Sequence, residues 1–330
     1  MATTEKHGQA APKRLKRTDR DTAEAAAADE SFPSLPRRQQ HPAAWYGPDM
    51  AAKPASWTST LSSTEIAEIE AAADAVLATG AGPVVLDASK FPLPTVGPRL
   101  AALRNTLIKG RGFELVRGLP LHEWPREKAA AAFLGIGSHI GAARSQNSAG
   151  HLLGHVRDLG LASDDPNVRI YQTAERQTFH ADSCDVVALA CLCKAKSGGE
   201  SLLCSALTVY NEILRLKPDL ATELLRPVAI DRRGEIPEGM QPFFMMPPLS
   251  WHAGFLGPGA GYQRQYIDSA QRFPEAPRLS TSQVRQLYCE SALPKSTLHL
   301  RFYRYPCTCI PLVDYSRRGF GCACVVGGGT

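Results

Sequence analysis

Two residues of types that bind metals or transfer protons stand one position apart near the middle of the chain. They are His180 and Asp182, within the segment 178–205. In an extended strand, side chains at positions i and i+2 point to the same face. An imidazole and a carboxylate on one face supply two corners of the facial two-histidine, one-carboxylate site that binds Fe(II) and leaves positions open for other ligands. The spacing therefore predicts a candidate metal site.

The tripeptide alone is a weak signal, because His-x-Asp occurs by chance in many sequences. The alternative is a histidine at the end of a strand that forms a hydrogen bond with a nearby carboxylate. The remaining histidines are interpreted as structural or surface residues: His7, His41, His122, His139, His151, His155, His252 and His299. The elements around the motif must therefore decide between a metal site and a structural pair.

The apolar pattern predicts helices before the motif and mainly short strands after it. Helical periodicity and capping residues predict helices at 62–79, 98–110, 125–141 and 208–225, the last interrupted at Pro218. Short β-rich runs predict strands at 112–120, 169–173, 186–193 and 200–206, with further strands and long loops in 229–270. Helices around many short strands favour a mainly β fold with flanking helices (α+β), a sandwich or barrel, over a parallel αβα sheet.

The composition is that of a globular protein. The 330 residues are 44% apolar and 21% charged, which excludes a wholly disordered or collagen-like chain. No stretch approaches the roughly 20 uncharged apolar residues of a spanning helix, so no membrane partner is expected. The first twenty residues are charged where a signal peptide is apolar, and their acidic residues disfavour a transit peptide. We expect a cytoplasmic protein.

The net charge of +5 lies at the two ends of the chain. Residues 1–20 and 291–330 each carry +4, which leaves residues 21–290 at −3. A mildly acidic body argues against a nucleic-acid partner. Residues 1–40 are rich in Ala, Pro and charge and are predicted to be a disordered leader, so a chain that starts at Pro42 should keep its stability. The basic run at 12–17 is interpreted as a solvated tail, with nuclear import as the alternative.

Nine cysteines, an odd number without a signal peptide, favour a reduced setting. Cys191 and Cys193 lie in an apolar run and are predicted to be small buried residues. The C-terminal pairs Cys307-x-Cys309 and Cys322-x-Cys324 raise the alternative of a zinc-binding interaction module. Their spacing departs from the C-x₂₋₄-C pattern of structural zinc sites, so this alternative is disfavoured.

The order of segments around the motif resembles the TauD/TfdA family of Fe(II)- and 2-oxoglutarate-dependent dioxygenases, in its fungal-type branch. The resembling segments, in chain order, are WYGPDM (45–50), RGFELVRGLP (111–120), RSQNSAGHLLGHVRDLG (144–160), NVRIYQTAERQTFHADS (167–183), DRRGEIPEGMQPFF (231–244), YIDSAQRFPEAPRLS (266–280) and LHLRFYR (298–304). This similarity predicts one dioxygenase domain over 41–306, followed by an atypical Cys- and Gly-rich tail over 307–330.

The resemblance implies a double-stranded β-helix, or jelly-roll, core in which His180 and Asp182 bind Fe(II). It places Ser201 against a carboxylate of the co-substrate 2-oxoglutarate. It also makes four polar residues candidates for the pocket of a small organic substrate: Gln146, Asn147, Tyr171 and Gln177. The implied reaction hydroxylates that substrate with dioxygen and releases succinate and CO2. A homo-oligomer is compatible with the sequence, which does not specify an oligomeric state.

The family completes its iron site with a distal histidine far downstream, and an arginine after it holds 2-oxoglutarate. No histidine follows His299 here, and neither Arg317 nor Arg318 stands in the family's motif. Because two ligands fix a facial geometry less firmly than three, we expect weak iron binding and little or no turnover. Candidate substitutes for the third ligand are His252, His299 or a tail cysteine. The alternative function is a non-catalytic jelly-roll protein that binds metal weakly or not at all.

Overall fold

The structure, a computed structural model, describes residues 37–80, 82, 87–147, 149–182, 184–193, 201–252, 255–259, 262–292, 300–302, 309–314 and 322–326. Its helices are α1 (Gly47–Ala51), α2 (Ser63–Ala78), α3 (Val96–Lys109), α4 (Arg126–Ile140), α5 (Ala206–Leu216), α6 (Pro218–Ala221), α7 (Arg264–Ala270) and α8 (Thr281–Ala292). Its strands are β1 (Thr58–Thr60), β2 (Phe113–Arg117), β3 (Val186–Ala188), β4 (Ser201–Ser205), β5 (Val228–Asp231), β6 (Phe243–Met246), β7 (Leu249–His252), β8 (Phe255–Pro258), β9 (Leu300–Phe302), β10 (Cys309–Asp314) and β11 (Cys322–Val326).

Helices α2, α3 and α4 form a layer around one apolar cluster. Helix α2 begins at a capping box, in which the Ser62 hydroxyl accepts from the Glu65 backbone N–H and the Glu65 carboxylate accepts from that of Ser62. Apolar residues of all three helices are buried against one another, and Ile69 and Leu107 are fully buried. The three helices predicted before the metal motif are therefore confirmed, because their periodicity coincides with the face that the cluster buries.

Strands from distant parts of the chain pair to form two sheets, one of four strands and one of three. The first has the order β1-β2-β10-β3, in which β1 is parallel to β2 and β10 is antiparallel to both of its neighbours. The second has the order β11-β4-β9, with β4 antiparallel to both neighbours. The antiparallel pairs β5-β6 and β7-β8 account for the strands expected in 229–270.

The predicted tail contributes backbone to both of these sheets. Strand β10 lies between β2 and β3, with Leu312 opposite Ala188 on one side and opposite Glu114 on the other. Strand β11 pairs with the whole of β4. The tail's unusual composition therefore does not keep its described segments out of the fold. Cys309 lies on β10 and Cys322 and Cys324 on β11, in different sheets, while Cys307 lies outside the described residues.

Four sequence expectations need correction or stay unconfirmed. The strand expected at 169–173 is a short 3-10 turn, Ile170–Gln172, and the strand expected at 186–193 ends at Ala188. Cys191 and Cys193 are exposed, not buried, because they lie in the loop after that strand. The mainly β composition is not confirmed, since helices account for more of the described residues than strands do.

The residues just before α1 are held against α5. Gln39 exchanges two hydrogen bonds with Asn211, at 2.8 and 3.0 Å. The Thr208 hydroxyl donates to the Trp45 carbonyl, and the Tyr46 hydroxyl donates to Glu212. We call residues 37–50 the N-terminal strap. Gln39 falls within the predicted leader, so ordered contacts begin before residue 41, whereas residues 1–36 lie outside the described chain and their disorder stays a prediction.

None of the described helices combines the length and the apolar character needed to cross a membrane.

Candidate metal site

His180 is fixed by a long-range backbone pairing. It forms an isolated antiparallel bridge with Gln263, and the backbone N–H of Ala181 donates to the carbonyl of Tyr262 at 2.8 Å. His180 itself is 9% exposed. The extended backbone that the His-x-Asp spacing predicts is therefore present, and its partner is the segment that enters α7.

The residue between the two candidate ligands anchors the motif from the opposite face. Ala181 is buried in an apolar cluster with Phe113 of β2 and Leu203 of β4. Trp45 and Trp57 complete that cluster, and both rings lie against Phe113, with centroids 5.0 and 5.8 Å away. The alternation of an extended strand thus buries Ala181 and turns its two neighbours to the other face.

A backbone contact selects the tautomer of His180. The Nδ1 atom lies 2.9 Å from the carbonyl oxygen of Thr178. A carbonyl oxygen only accepts, so Nδ1 carries the proton that makes this bond, and the Nε2 atom of the neutral ring keeps its lone pair. Metal-binding histidines use this arrangement, in which one nitrogen donates to a carbonyl and the other binds the metal. The ring is therefore prepared to bind a metal through Nε2.

Asp182 lies on the same side as the free ring nitrogen. Its Oδ1 atom is 3.9 Å from His180 Nε2, and its side chain is 45% exposed. One ion can contact both atoms, because two bonds to a divalent metal such as zinc span about 4.2 Å when they are opposed. A right-angled facial geometry brings the two atoms to about 3 Å, a change that rotation of the half-exposed carboxylate can supply. The donor pair fits two positions of a metal site.

A third protein ligand is not found among the residues that the structure describes. No group of three His, Cys, Asp or Glu side chains there is arranged to hold a metal ion. Only the backbone of His252 is described, in β7, and His299, Arg317 and Arg318 lie outside the described ranges. The expected shortage of ligands therefore stays a prediction for those parts of the chain.

Ser201, the predicted co-substrate residue, opens β4. It pairs with Val326 on β11 and with Phe302 on β9, and it is half-buried. No described hydrogen bond joins its side chain to His180 or Asp182. The structure thus gives Ser201 a place at the end of the central strand of one sheet and leaves its role as a proposal.

The predicted pocket residues Gln146 and Asn147 lie in a turn with local hydrogen bonds. The Gln146 backbone N–H donates to the carbonyl of His151, and the Asn147 amide Nδ2 lies 3.0 Å from His151 Nδ1. Gln146 is exposed, and its side chain donates to the carbonyl of Arg144. No described hydrogen bond or ion pair joins Gln146 or Asn147 to His180.

Tyr171 and Gln177 lie on the segment that runs into His180. Gln177 is 9% exposed, three residues before the histidine. Tyr171 is half-buried, and the pKa of its phenol is raised, mainly because of that burial. The positive charge of Arg169 opposes the rise. Arg169 in turn forms an ion pair with Glu235, with 2.7 Å between Nη2 and Oε2. Of the four candidate pocket residues, these two are the ones whose local chain continues directly into the motif.

Sequence reasoning assigned no role to Asp231 and Arg233, which the structure buries together. Asp231 is 2% exposed and Arg233 7%, although both carry charge. The available signal was the pair of arginines placed between an apolar strand and a glycine. Such a pattern indicates a turn, but it does not show that the second arginine is directed inward.

Several solved structures that are similar to this chain are iron-dependent oxygenases. Asparagine oxygenase in complex with Fe(II), 2S,3S-3-hydroxyasparagine and succinate superposes with a TM-score of 0.58 at 15% identity, covering 83% of this chain and 88% of that one. The non-heme iron oxygenase OrfP in complex with Fe and alpha-ketoglutaric acid gives a TM-score of 0.57 at 13% identity, again covering 83% and 88%. At these identities the similarity establishes the fold.

The chain belongs to the TauD/TfdA family, because the family model described as taurine catabolism dioxygenase TauD, TfdA family, matches residues 77–326. FR-33289 synthase of Streptomyces rubellomurinus is 33% identical over 201 residues, which are 61% of this chain and 59% of that protein. The taurine hydroxylase-like protein SAT17 of Stachybotrys chartarum is 28% identical over 240 residues, 65% of this chain and 62% of that protein. The chain thus matches about three fifths of the length of each of these relatives.

Proposed function

We propose that this chain is an oxygenase of the Fe(II)- and 2-oxoglutarate-dependent type, in which His180 and Asp182 are two of the iron ligands. The observation that carries the proposal is the hydrogen bond from His180 Nδ1 to the Thr178 carbonyl, which leaves Nε2 free beside the Asp182 carboxylate. Family membership supports it, as do the neighbours solved with iron and with alpha-ketoglutaric acid or succinate. The jelly-roll arrangement of the two sheets is part of the same proposal.

The protein's own residues would bind, orient and enclose the reactants. Bound Fe(II), with 2-oxoglutarate and dioxygen, supplies the oxidising chemistry that hydroxylates a substrate and releases succinate and CO2. His180 and Asp182 would hold the ion, and the buried Ala181 between them would anchor the backbone that carries both. The Ser201 hydroxyl would donate to a carboxylate oxygen of 2-oxoglutarate. Gln146, Asn147, Tyr171 and Gln177 are the proposed pocket residues, and the position of Tyr171 and Gln177 on the segment that runs into His180 supports these two more strongly.

The proposed substrate is a small organic molecule, of the size class of the hydroxyasparagine and hydroxyarginine products bound by the neighbouring structures. We further propose that turnover by this chain is low. Two ligands bind a metal less firmly than three, and the described residues supply two. The same observation favours the second candidate function, a family member that keeps the fold without catalysing oxidation.

Metal binding by Asp182→Ala tests the ligand assignment. Loss of a ligand should weaken Fe(II) binding by more than the roughly 10- to 100-fold typical of lost outer-shell partners. Asp185→Ala is the matched control, because it removes the same charge from an exposed position three residues along. Anaerobic equilibrium dialysis with Fe(II) measures both. Equal binding by the wild-type chain and Asp182→Ala would show that the assignment is wrong.

Succinate release separates the two candidate functions. The unmodified chain is incubated with Fe(II), ascorbate and 2-oxoglutarate, beside a version whose C-terminal segment carries the family's distal histidine. We expect little succinate from the first and a clear increase with the second. Robust release by the unmodified chain would overturn the proposal of low turnover and require a third ligand of its own.

A further inference from the structure

A buried polar cluster lies beyond the end of β5. Asp231 Oδ1 accepts from the backbone N–H of Arg233 at 2.8 Å, and Oδ2 accepts from the Ser269 hydroxyl at 2.5 Å. Arg272 forms an ion pair with the same carboxylate at 3.2 Å. We call these four residues the Asp231 cluster. A carboxylate that is 2% exposed costs much free energy to bury, and three donors offset that cost here.

Arg233 adopts a backbone conformation that side chains rarely accept. Its φ is 53°, and among the described residues it is the one non-glycine residue with a positive φ. This conformation is strained for a residue with a side chain, and such strain persists only where the surroundings determine it. The next residue, Gly234, packs so closely that a Cβ atom would lie 2.8 Å from the Asn167 side-chain oxygen. The turn is therefore pressed against the segment around residue 167.

The strained backbone directs the Arg233 guanidinium inward onto that segment. Nη2 donates to the carbonyls of Asp165 and Val168, at 2.7 Å each. The guanidinium also lies over the Tyr266 ring of α7, 5.3 Å from its centroid. One side chain thus joins two pieces of the chain that are about a hundred positions apart in sequence.

Both of these pieces lead to His180. Helix α7 begins directly after Gln263, the residue that bridges to His180, and it carries Ser269 and Tyr266 on the face that contacts the Asp231 cluster. The segment held at Val168 continues through the 3-10 turn to Thr178, whose carbonyl accepts from the His180 ring. The cluster is therefore connected to the histidine through its backbone partner and through the chain that precedes it.

We propose that Asp231 and Arg233 are positioning residues for the metal site: they hold α7 and the 165–168 segment in one arrangement, and this arrangement fixes His180. The proposal rests on the proposed function, because it concerns the same histidine as a metal ligand. The strained turn at Arg233 is needed for this arrangement, because a relaxed turn would withdraw the guanidinium from the two carbonyls and from Tyr266. Neither residue is proposed as a metal ligand.

The test compares Arg233→Gln and Arg233→Lys with two controls. Arg232→Gln removes the same charge one position away, where the side chain contacts the Gln241 carbonyl and the Phe244 ring. Ile69→Val lowers stability in α2, far from the motif in sequence. Co(II), a spectroscopic substitute for Fe(II), is titrated in each folded variant well below its melting temperature. Hydrogen exchange at the Ala181 amide, which donates to Tyr262, reports the placement of the motif without any metal.

We expect Arg233→Gln to bind Co(II) about tenfold more weakly, the lower end of the loss typical of outer partners, and to speed exchange at Ala181. Arg233→Lys, which keeps a donor for the two carbonyls, should recover part of both effects. The two controls should leave both readouts unchanged. The inference is overturned if Arg233→Gln matches Ile69→Val in both readouts, or if neither Arg233 variant folds, because the pair would then serve the whole fold.

The outcomes also separate this inference from the function on which it rests. If Asp182→Ala binds Co(II) as well as the wild-type chain, the metal-ligand assignment fails, and with it the metal-site role of the cluster. If Asp182→Ala loses binding and Arg233→Gln does not, the ligands stand and the positioning role fails.

Discussion

The helical layer of α2, α3 and α4 and the region around His180 are stabilised by different kinds of contact. In the layer, the buried residues are apolar side chains such as Ile69 and Leu107, which fill one continuous cluster. Around the motif, the buried set includes Asp231, Arg233 and Gln263 as well as His180 itself. Apolar packing is non-directional, whereas a buried polar network must be satisfied bond by bond. Stability should therefore concentrate in the first region and positional precision in the second.

Phe91→Ala should cause the largest loss of stability, and it tests whether the helical layer and the region around His180 have separate roles. The Phe91 ring is fully buried, and it packs so tightly on α4 that a Cβ atom at Gly135 would lie 2.5 Å from it. Removing the ring should lower the free energy of unfolding by about 3–5 kcal/mol through lost burial and the remaining cavity. Urea denaturation measures the loss, and Co(II) binding by the folded variant should not change.

Phe133→Ala provides the control for that prediction. Phe133 lies on α4 as well but is only partly buried against the same cluster, so its loss should be clearly smaller. Equal losses at the two positions, or a changed metal affinity in Phe91→Ala, would show that the two regions are not separable.

The same contrast explains what the sequence could predict. Helix α2 was predictable because the Ser62 capping box and the apolar periodicity are local signals. The predicted strand at 169–173 became a turn, because the Gln172 N–H donates to the Arg169 carbonyl while Arg169 pairs with Glu235. The contact between Arg169 and Glu235 joins residues 66 positions apart, and local β propensity cannot register it.

The sequence predicted the two candidate metal ligands but not the contacts that hold them in place. His180 and Asp182 follow from residue type, spacing and resemblance, and the structure brings their side chains within 3.9 Å. The bridge from His180 to Gln263 joins residues that are far apart in the chain, and no sequence signal marked it. The positive φ of Arg233 was equally hidden, since that conformation is rare for arginine and favoured by glycine.

We expect an intermediate loss of stability when serine is replaced by alanine at either of two helix N-caps. Ser205 caps α5: its hydroxyl accepts from the Thr208 N–H and donates to the Ala43 carbonyl, and the residue is buried. Ser62 caps α2 at an exposed position. Ser205→Ala should cost about 2 kcal/mol, because it removes the cap and leaves a buried carbonyl of the strap without its donor. Ser62→Ala should cost about 1 kcal/mol.

Chemical denaturation of both serine variants gives the comparison directly. A loss at Ser62 equal to or greater than that at Ser205 would contradict the view that polar contacts contribute more to stability where they are buried.

The smallest changes in stability are expected at the N-terminus. Two shortened chains show where its contacts with the rest of the fold begin. A chain that starts at Arg37 keeps the whole strap, so its melting temperature should equal that of the full chain if residues 1–36 form the predicted disordered leader. A chain that starts at Pro42 lacks Gln39, and both of its hydrogen bonds with Asn211 are lost. Because Asn211 is 7% exposed, its amide would lose partners without gaining full access to water, at a cost of about 1–2 kcal/mol.

Asn211→Ala in the Arg37 chain isolates that contact. It removes the same two hydrogen bonds and leaves the strap's length unchanged, so it should reproduce most of the loss seen on starting at Pro42. Differential scanning calorimetry at one protein concentration measures all four chains. If the Pro42 chain melts with the full chain, the Gln39–Asn211 pair adds nothing and the leader extends to residue 41. If the Arg37 chain melts lower than the full chain, residues 1–36 contribute to the fold and the predicted leader is wrong.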